Sequence, residues 1–127
     1  MTQATPLIST LESYLSLTTR REQAISSNMA NVDTPGYHTR DMDFNSELQR
    51  ATSGVLSESA DGTGSVQINP VVREVPGLLE RPDGNNVSLD REGLLMSETQ
   101  LQYQIGIQLI KHQFHQILSA ISGGSQS

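Results

Sequence analysis

The sequence predicts an all-α, elongated subunit, in which a helix at each end of the chain pairs with the other as a coiled coil. Between them lies a loop-rich middle that can carry a short β-hairpin. Two observations support this class. Apolar residues near both ends recur at alternating steps of three and four, which is the heptad spacing of helices packed along a narrow seam. Only 35% of the 127 residues are hydrophobic and 4% are aromatic, so a large core with a deep cleft is not expected.

The first element is a helix over about residues 6–31. Pro6 suits the first turn, because its missing N–H would have no helical partner there. The residues of this helix predicted to pack in the seam are Ile8, Leu11, Leu15, Ile25 and Met29.

The last element is a helix over about residues 90–121, and its apolar spacing is the more regular of the two. Asp90 and Glu92 suit the positive end of its dipole, and Gly123 and Gly124 are expected to end it. Its predicted seam residues are Tyr103, Ile107, Ile110, Phe114, Ile117 and Ile121.

The middle of the chain, residues 51–86, is rich in Gly, Pro and Ser and is predicted to be mostly loop. Residues 65–68 and 71–75 favour extended structure, but Pro70 and Pro76 limit them to edge strands. The chain therefore divides into an N-terminal helix with a turn motif (1–50), a variable middle (51–86) and a C-terminal helix (87–127).

The outward faces of both terminal helices carry few charges. They bear Ser and Thr on the first helix and Gln on the last, where Lys111 is the only Lys, Arg, Asp or Glu between residues 99 and 121. One interpretation is a solvated helix that happens to be rich in Gln. We favour a second, in which neighbouring molecules cover both faces, because amides and hydroxyls can be buried at modest cost when partners are supplied.

Charge and composition argue against several function classes. The 14 acidic and 8 basic residues give a net charge of −6, so a nucleic-acid partner is not expected. The chain has no Cys, which removes thiol chemistry and Cys-based zinc sites. His112 and His115 share a helix face but have no acidic neighbour in sequence, so we expect no metal site there. We also expect no cofactor and no catalytic residue.

The most informative stretch follows the first helix. Pro35 forces the preceding residue out of the helical region, and the Pro35–Gly36 pair suits the centre of a type II turn. Asn31 is a candidate for a left-handed helix cap, and the Asn28 side chain can hold the chain as it folds back. The residues of this turn motif are Asn28, Ala30, Asn31, Thr34, Pro35, Gly36 and Tyr37.

The turn motif resembles the signature of the bacterial flagellar rod, hook and hook-associated family. Residues 37–44 resemble the version found in the proximal rod, and the likeness extends over about residues 5–50 and 83–124. Further agreement lies at 83–87, 90–92, 103–104, 114 and 120–121.

The resemblance implies a structural subunit of the proximal rod of the flagellar basal body, whose terminal helices polymerise into the core of a tube and transmit torque. It implies export by the flagellar type III apparatus without a cleaved signal peptide, and a position in the rod that spans the periplasm. The implied partners are copies of itself, other rod proteins, and membrane-ring or adaptor proteins at the rod base. The alternatives are a soluble helical adaptor or secretion chaperone that uses the same seams, or another proximal rod component.

Overall fold

The computed structural model describes residues 4–61 and 68–126. Within these ranges the chain forms three helices and two short strands. In chain order they are α1 (Ala4–Ala30), β1 (Arg40–Met42), α2 (Phe44–Asp61), β2 (Val72–Glu74) and α3 (Leu89–Gln126). The mainly helical class is confirmed, with a small antiparallel sheet added to it. In the same ranges, none of the helices is both long enough and apolar enough to cross a membrane.

The two terminal helices pack against each other. Asn28 lies beside Glu92, and Leu15 lies beside Gly106, so α1 and α3 run antiparallel. Counting along that register brings Ala4 level with about residue 117. Because α3 extends to Gln126, its last turns project past the described start of α1, and the prediction that Gly123 and Gly124 end this helix is wrong.

The face of α3 that meets α1 differs from the predicted seam. Ile25 of α1 is fully buried, but the fully buried side chains of α3 are Glu92 and Thr99. The predicted residues that are partly buried are Ile8, Leu11, Leu15, Met29, Ile107, Ile110 and Ile117. The predicted residues that stay exposed within one subunit are Tyr103, Phe114 and Ile121.

Gly106 explains why the helices meet on this face. It is buried, and a Cβ atom added to it would lie only 2.7 Å from Leu15 Cδ2 and 3.0 Å from Tyr14 Cδ1. The absence of a side chain therefore lets α1 approach α3 closely. Gly93, which directly follows Glu92, has open space where its Cβ would be, so Gly93 and Gly106 have different roles.

Residues 51–61 are helical, so the prediction of loop for this part of the middle is wrong. The reason is a buried face that composition alone conceals: Phe44, Leu48, Ala51 and Val55 recur at helical spacing and are buried or partly buried. Phe44 and Ala51 join Leu17 and Met42 in the hydrophobic core.

Asp43 caps the start of α2. Its carboxylate accepts hydrogen bonds from the Ser46 hydroxyl at 2.9 Å and the Ser46 backbone N–H at 3.3 Å. These bonds favour the charged carboxylate and lower the pKa of Asp43.

The sheet pairs β1 with β2 in antiparallel register, with Asp41 opposite Arg73. The extended structure predicted within residues 71–75 is confirmed by β2. The prediction that this strand forms a hairpin within the middle region is wrong, because its partner strand is β1, which comes before α2. Of the other predicted run, Ile68 lies outside any strand, and residues 65–67 fall outside the described ranges.

Candidate functional site

The turn after α1 is built on Pro35 and Gly36. The Tyr37 N–H donates to the Thr34 carbonyl at 3.2 Å, and Gly36 has φ of 75°, the left-handed value that a type II turn requires. The Gly36 N–H donates to the Asp83 carbonyl at 2.9 Å. The turn is therefore fastened to the loop that precedes α3.

Asn28 holds the returning chain. Its Oδ1 accepts hydrogen bonds from the Arg40 N–H and the Tyr37 hydroxyl, both at 3.0 Å. Its Nδ2 donates to the Arg40 carbonyl at 2.8 Å and to Glu92 Oε2 at 3.1 Å. Since the side chain is 1% exposed, a single amide satisfies both backbone groups of Arg40 and links α1, β1 and α3.

Glu92 is the buried acid of this cluster, with no exposed surface. One carboxylate oxygen accepts from Asn28, and the other accepts from Arg91 Nη1 at 2.9 Å. A buried carboxylate needs such partners, because an unpaired one costs several kcal/mol. The sequence pattern indicates only a role for Glu92 at the helix dipole, and its contact with α1 has no local signature.

Asn85 connects the two loops. Its Nδ2 donates to the carbonyls of Asn31 and Thr34, each at 2.8 Å, and its Oδ1 accepts from the Val87 N–H at 2.8 Å. Asn31 does not take the predicted left-handed cap, because no non-glycine residue in the described ranges has a positive φ. Instead, its side chain donates to the Ser27 carbonyl at 2.8 Å.

Arg21 and Asp41 form a bidentate ion pair beside this cluster. Arg21 Nε donates to Asp41 Oδ1 at 3.1 Å, and Arg21 Nη2 donates to Asp41 Oδ2 at 3.0 Å. Both side chains are largely buried, at 13% and 10% exposed. The pair fixes β1 against α1. Sequence analysis missed it, because a contact between residues 20 positions apart has no local signature.

We call this group of side chains the polar junction. It consists of Asn28, Asn85, Glu92, Arg21 and Asp41. Of the predicted turn motif, Asn28 belongs to the junction and Tyr37 donates its hydroxyl to Asn28. Asn31 and Thr34 contribute backbone carbonyls that accept from Asn85. The motif residues that remain exposed are Ala30, Thr34, Pro35 and Gly36. The junction sets the direction in which the chain leaves α1 and re-enters α3.

A histidine lies at the edge of the sheet. His38 Nε2 is 3.0 Å from Glu80 Oε1, and its Nδ1 is 3.3 Å from Glu74 Oε2. These two hydrogen bonds raise the pKa of His38, with Glu80 contributing most. In the described part of the chain, no group of three or more His, Asp or Glu residues has an arrangement that could hold a metal ion.

Two apolar faces of α3 are exposed. The first, which we call the outer face, follows helical spacing and consists of Leu94, Leu101, Ile105 and Leu109. The second, which we call the lateral face, consists of Tyr103, Phe114, Leu118 and Ile121. Gln104 and Gln108 line the outer face beside its leucines. Contiguous exposed apolar surface rimmed by neutral polar groups is typical of a protein–protein interface.

Comparison with known proteins gives relatives that match along most of their length, although no protein-family model matches the chain. The flagellar basal body rod protein FlgB of Salmonella typhimurium is 32% identical over 123 residues, covering 87% of this chain and 89% of that protein. FlgB of Yersinia enterocolitica is 31% identical over 126 residues, and FlgB of Escherichia coli is 29% identical over 127, with the same coverage of both chains. The chain therefore belongs to the family of the flagellar basal body rod protein FlgB.

Proposed function

We propose that the chain is a structural subunit of the proximal rod of the flagellar basal body, and that it polymerises through its terminal helices to transmit torque. The single observation that carries this proposal is the exposed outer face of α3, on a chain that belongs to a rod protein family. Leu94, Leu101 and Ile105 are each about half or more exposed in the free subunit. Packing against neighbours would remove this apolar surface from water. Each Å² of apolar surface buried in this way stabilises the assembly by roughly 25 cal/mol.

The lateral face gives the predicted seam residues of α3 a role between subunits. Tyr103, Phe114 and Ile121 keep 38%, 50% and 56% of their surface exposed in the free subunit. The last turns of α3 also project beyond the described start of α1. Coiled-coil pairing would then join α3 to a helix of a neighbouring subunit, and buried contacts of this kind resist shear between subunits.

The polar junction would make the subunit stiff enough for a mechanical role. Asn28, Asn85 and Glu92 are each at most 1% exposed, and all three bond across loops or helices. Fully satisfied buried networks specify one arrangement of the chain. In this proposal the residues 1–50 and 87–127 form the rod core, and residues 51–86 form the variable part.

Membership of the rod family supports partners and location of the same kind. We infer contacts with copies of the chain, with other rod proteins and with membrane-ring or adaptor proteins at the rod base. Delivery would be by the flagellar type III export apparatus, without a cleaved signal peptide, to the part of the rod that spans the periplasm. The role is architectural rather than enzymatic, and it requires no cofactor.

The test is to replace the gene in its own organism with variants and to examine purified basal bodies. Ile105→Asp places a charge on the outer face, and we expect it to abolish rods and motility. Leu79→Asp is the matched control, because Leu79 is 92% exposed in the loop between β2 and α3, and we expect it to assemble normally. Intact basal bodies that lack the chain, with the protein retained in the cytoplasm as a small oligomer, would instead support an adaptor or secretion chaperone.

A further inference from the structure

A groove on the side of α1 away from α3 has an unusual charge. Its volume is about 300 Å³, and it lies between α1, the turn after it and β2. Its lining residues are Arg20, Gln23, Ala24, Ser27, Tyr37, Arg40, Asn69, Pro70 and Val72. Two of these are arginines and none is acidic, although acids outnumber bases in the whole chain by 14 to 8.

The two arginines of the groove lack acidic partners. In the described ranges, Arg21, Arg50, Arg81 and Arg91 each have a carboxylate within 4.0 Å, whereas Arg20 and Arg40, like Arg73 and Lys111, have none. Both are exposed. Glu74 stands opposite Arg40 in the sheet, but its carboxylate is engaged by His38. The groove is therefore a local positive surface with an apolar floor from Ala24, Pro70 and Val72.

The start of α3 has the complementary pattern. Asp90, Leu94 and Glu98 are spaced four residues apart, so they form one ridge on the face of α3 that continues into the outer face. Leu94 is 71% exposed, and Asp90 and Glu98 are exposed as well. Neither acid has an ion-pair partner within the described residues. The ridge therefore presents acid, apolar and acid groups in order.

We propose that the Asp90–Leu94–Glu98 ridge of one copy docks into the Arg20–Arg40 groove of a second copy. This inference rests on the proposed function, because it specifies one of the contacts through which the subunit assembles. The ion pairs would fix the register, while Leu94 enters the space above Ala24, Pro70 and Val72. Charge complementarity of this kind sets orientation and selects partners more than it adds affinity.

Groove and ridge are different surfaces on different helices, so the contact is heterologous. Repeating such a contact produces a ring or an open helix rather than a closed two-fold dimer. Each subunit would then use its groove for one neighbour and its ridge for another. A structural subunit of a helical rod requires this kind of contact.

The chain has no native cysteine, which allows a disulfide test with single-cysteine variants. Gln23→Cys lies in the groove and Leu94→Cys lies on the ridge, so any disulfide between them joins two molecules. The two variants are co-expressed in cells that lack the native gene, basal bodies are purified, and oxidation is followed by separation of monomers from dimers. The matched control pairs Gln23→Cys with Leu79→Cys, which is exposed but lies outside the ridge.

We expect the Gln23→Cys and Leu94→Cys pair to form about ten times more dimer than the control pair. Adding Arg20→Glu to the groove variant should reduce this yield, as exposed ion pairs are weakened by loss of one partner. Either Asp90→Arg or Glu98→Arg in the ridge variant should then restore it. Circular dichroism of each purified variant checks that the helices are retained.

Equal dimer yields for the ridge and control cysteines would overturn the inference, as would failure of both arginine substitutions to restore the yield. If Arg20→Glu prevents rod formation while the Gln23→Cys and Leu94→Cys pair, without any charge substitution, forms no disulfide, the groove binds a different protein, and the inference is wrong. The proposed function is tested separately, by detecting whether the wild-type chain is present in purified basal bodies.

Discussion

Asn28 of α1 and Glu92 of α3 are 64 residues apart in the sequence, yet Asn28 Nδ2 donates a 3.1 Å hydrogen bond to Glu92 Oε2 in the buried interior. The same amide also bonds both backbone groups of Arg40. One side chain thus joins the first helix, the first strand and the last helix. This link makes the ends of the chain and its turn motif a single structural unit.

Asn28→Ala is expected to lower the free energy of unfolding by about 2–4 kcal/mol, because it leaves one oxygen of the buried Glu92 carboxylate and both backbone groups of Arg40 without their Asn28 partner. Urea unfolding followed by circular dichroism measures the change. Asn45→Ala is the matched control, since Asn45 is exposed on α2, and it should change the free energy of unfolding by less than about 0.5 kcal/mol. Equal effects of the two substitutions would contradict the role assigned to Asn28.

Gly93 and Gly106 of α3 give a second prediction. Alanine at either position gains about 1 kcal/mol of helix propensity. At Gly106 the added methyl meets Leu15 Cδ2 at 2.7 Å, so Gly106→Ala should be destabilising by about 1–3 kcal/mol in spite of that gain. At Gly93 the space is open, so Gly93→Ala should raise the stability by up to about 1 kcal/mol. Denaturant midpoints that move in the same direction for both variants would disprove the close approach of α1.

The Arg21–Asp41 pair depends on the fork of the guanidinium. Arg21→Lys keeps the charge but cannot reproduce both hydrogen bonds, so we expect it to cost about 1–2 kcal/mol of stability. Its neighbour provides the control, because Arg20→Lys changes an exposed side chain without an ion-pair partner in the described residues. Thermal unfolding of both variants would separate them, and a loss at Arg20 as large as that at Arg21 would count against the pair.

His38 gives the sheet edge a dependence on pH. Its pKa in the folded chain is raised above the ordinary value of 6.5 by hydrogen bonds to Glu80 and Glu74. The stability that it contributes is therefore fully present below pH 6.5 and is lost as the pH rises through the higher folded value. The stability difference between wild type and His38→Gln should shrink as the pH is raised from about 6 to about 8. A difference that stays constant or grows over this range would show that the carboxylates do not hold the protonated ring.

Local pattern is sufficient for the first helix and for the start of the last one. Heptad spacing and Pro6 place α1 within two residues of its observed ends, and Asp90 marks the start of α3. The Pro35–Gly36 turn follows from the restricted φ of one residue and the positive φ of the next. These features depend on neighbouring residues alone, so the sequence expresses them directly.

The packing of α3 could not be obtained in this way. Its apolar residues occur on several faces, and the buried face is selected by small and polar groups, namely Gly106, Thr99 and Glu92. If apolar residues alone are expected to face α1, Phe114 and Ile121 are predicted to be buried. Both are exposed in the free subunit. Helix α2 was missed for a related reason, because Ser and Gly in residues 51–61 conceal the buried positions Ala51 and Val55.

In the assembled rod, neighbouring subunits are expected to cover the outer face of α3. Thiol labelling of Ile105→Cys tests this coverage, since the chain has no other cysteine and Ile105 is 48% exposed. We expect rapid labelling of the purified free subunit and protection of the same cysteine in purified basal bodies, with both samples labelling equally after denaturation. Equal, rapid labelling of the free and the assembled protein would contradict it.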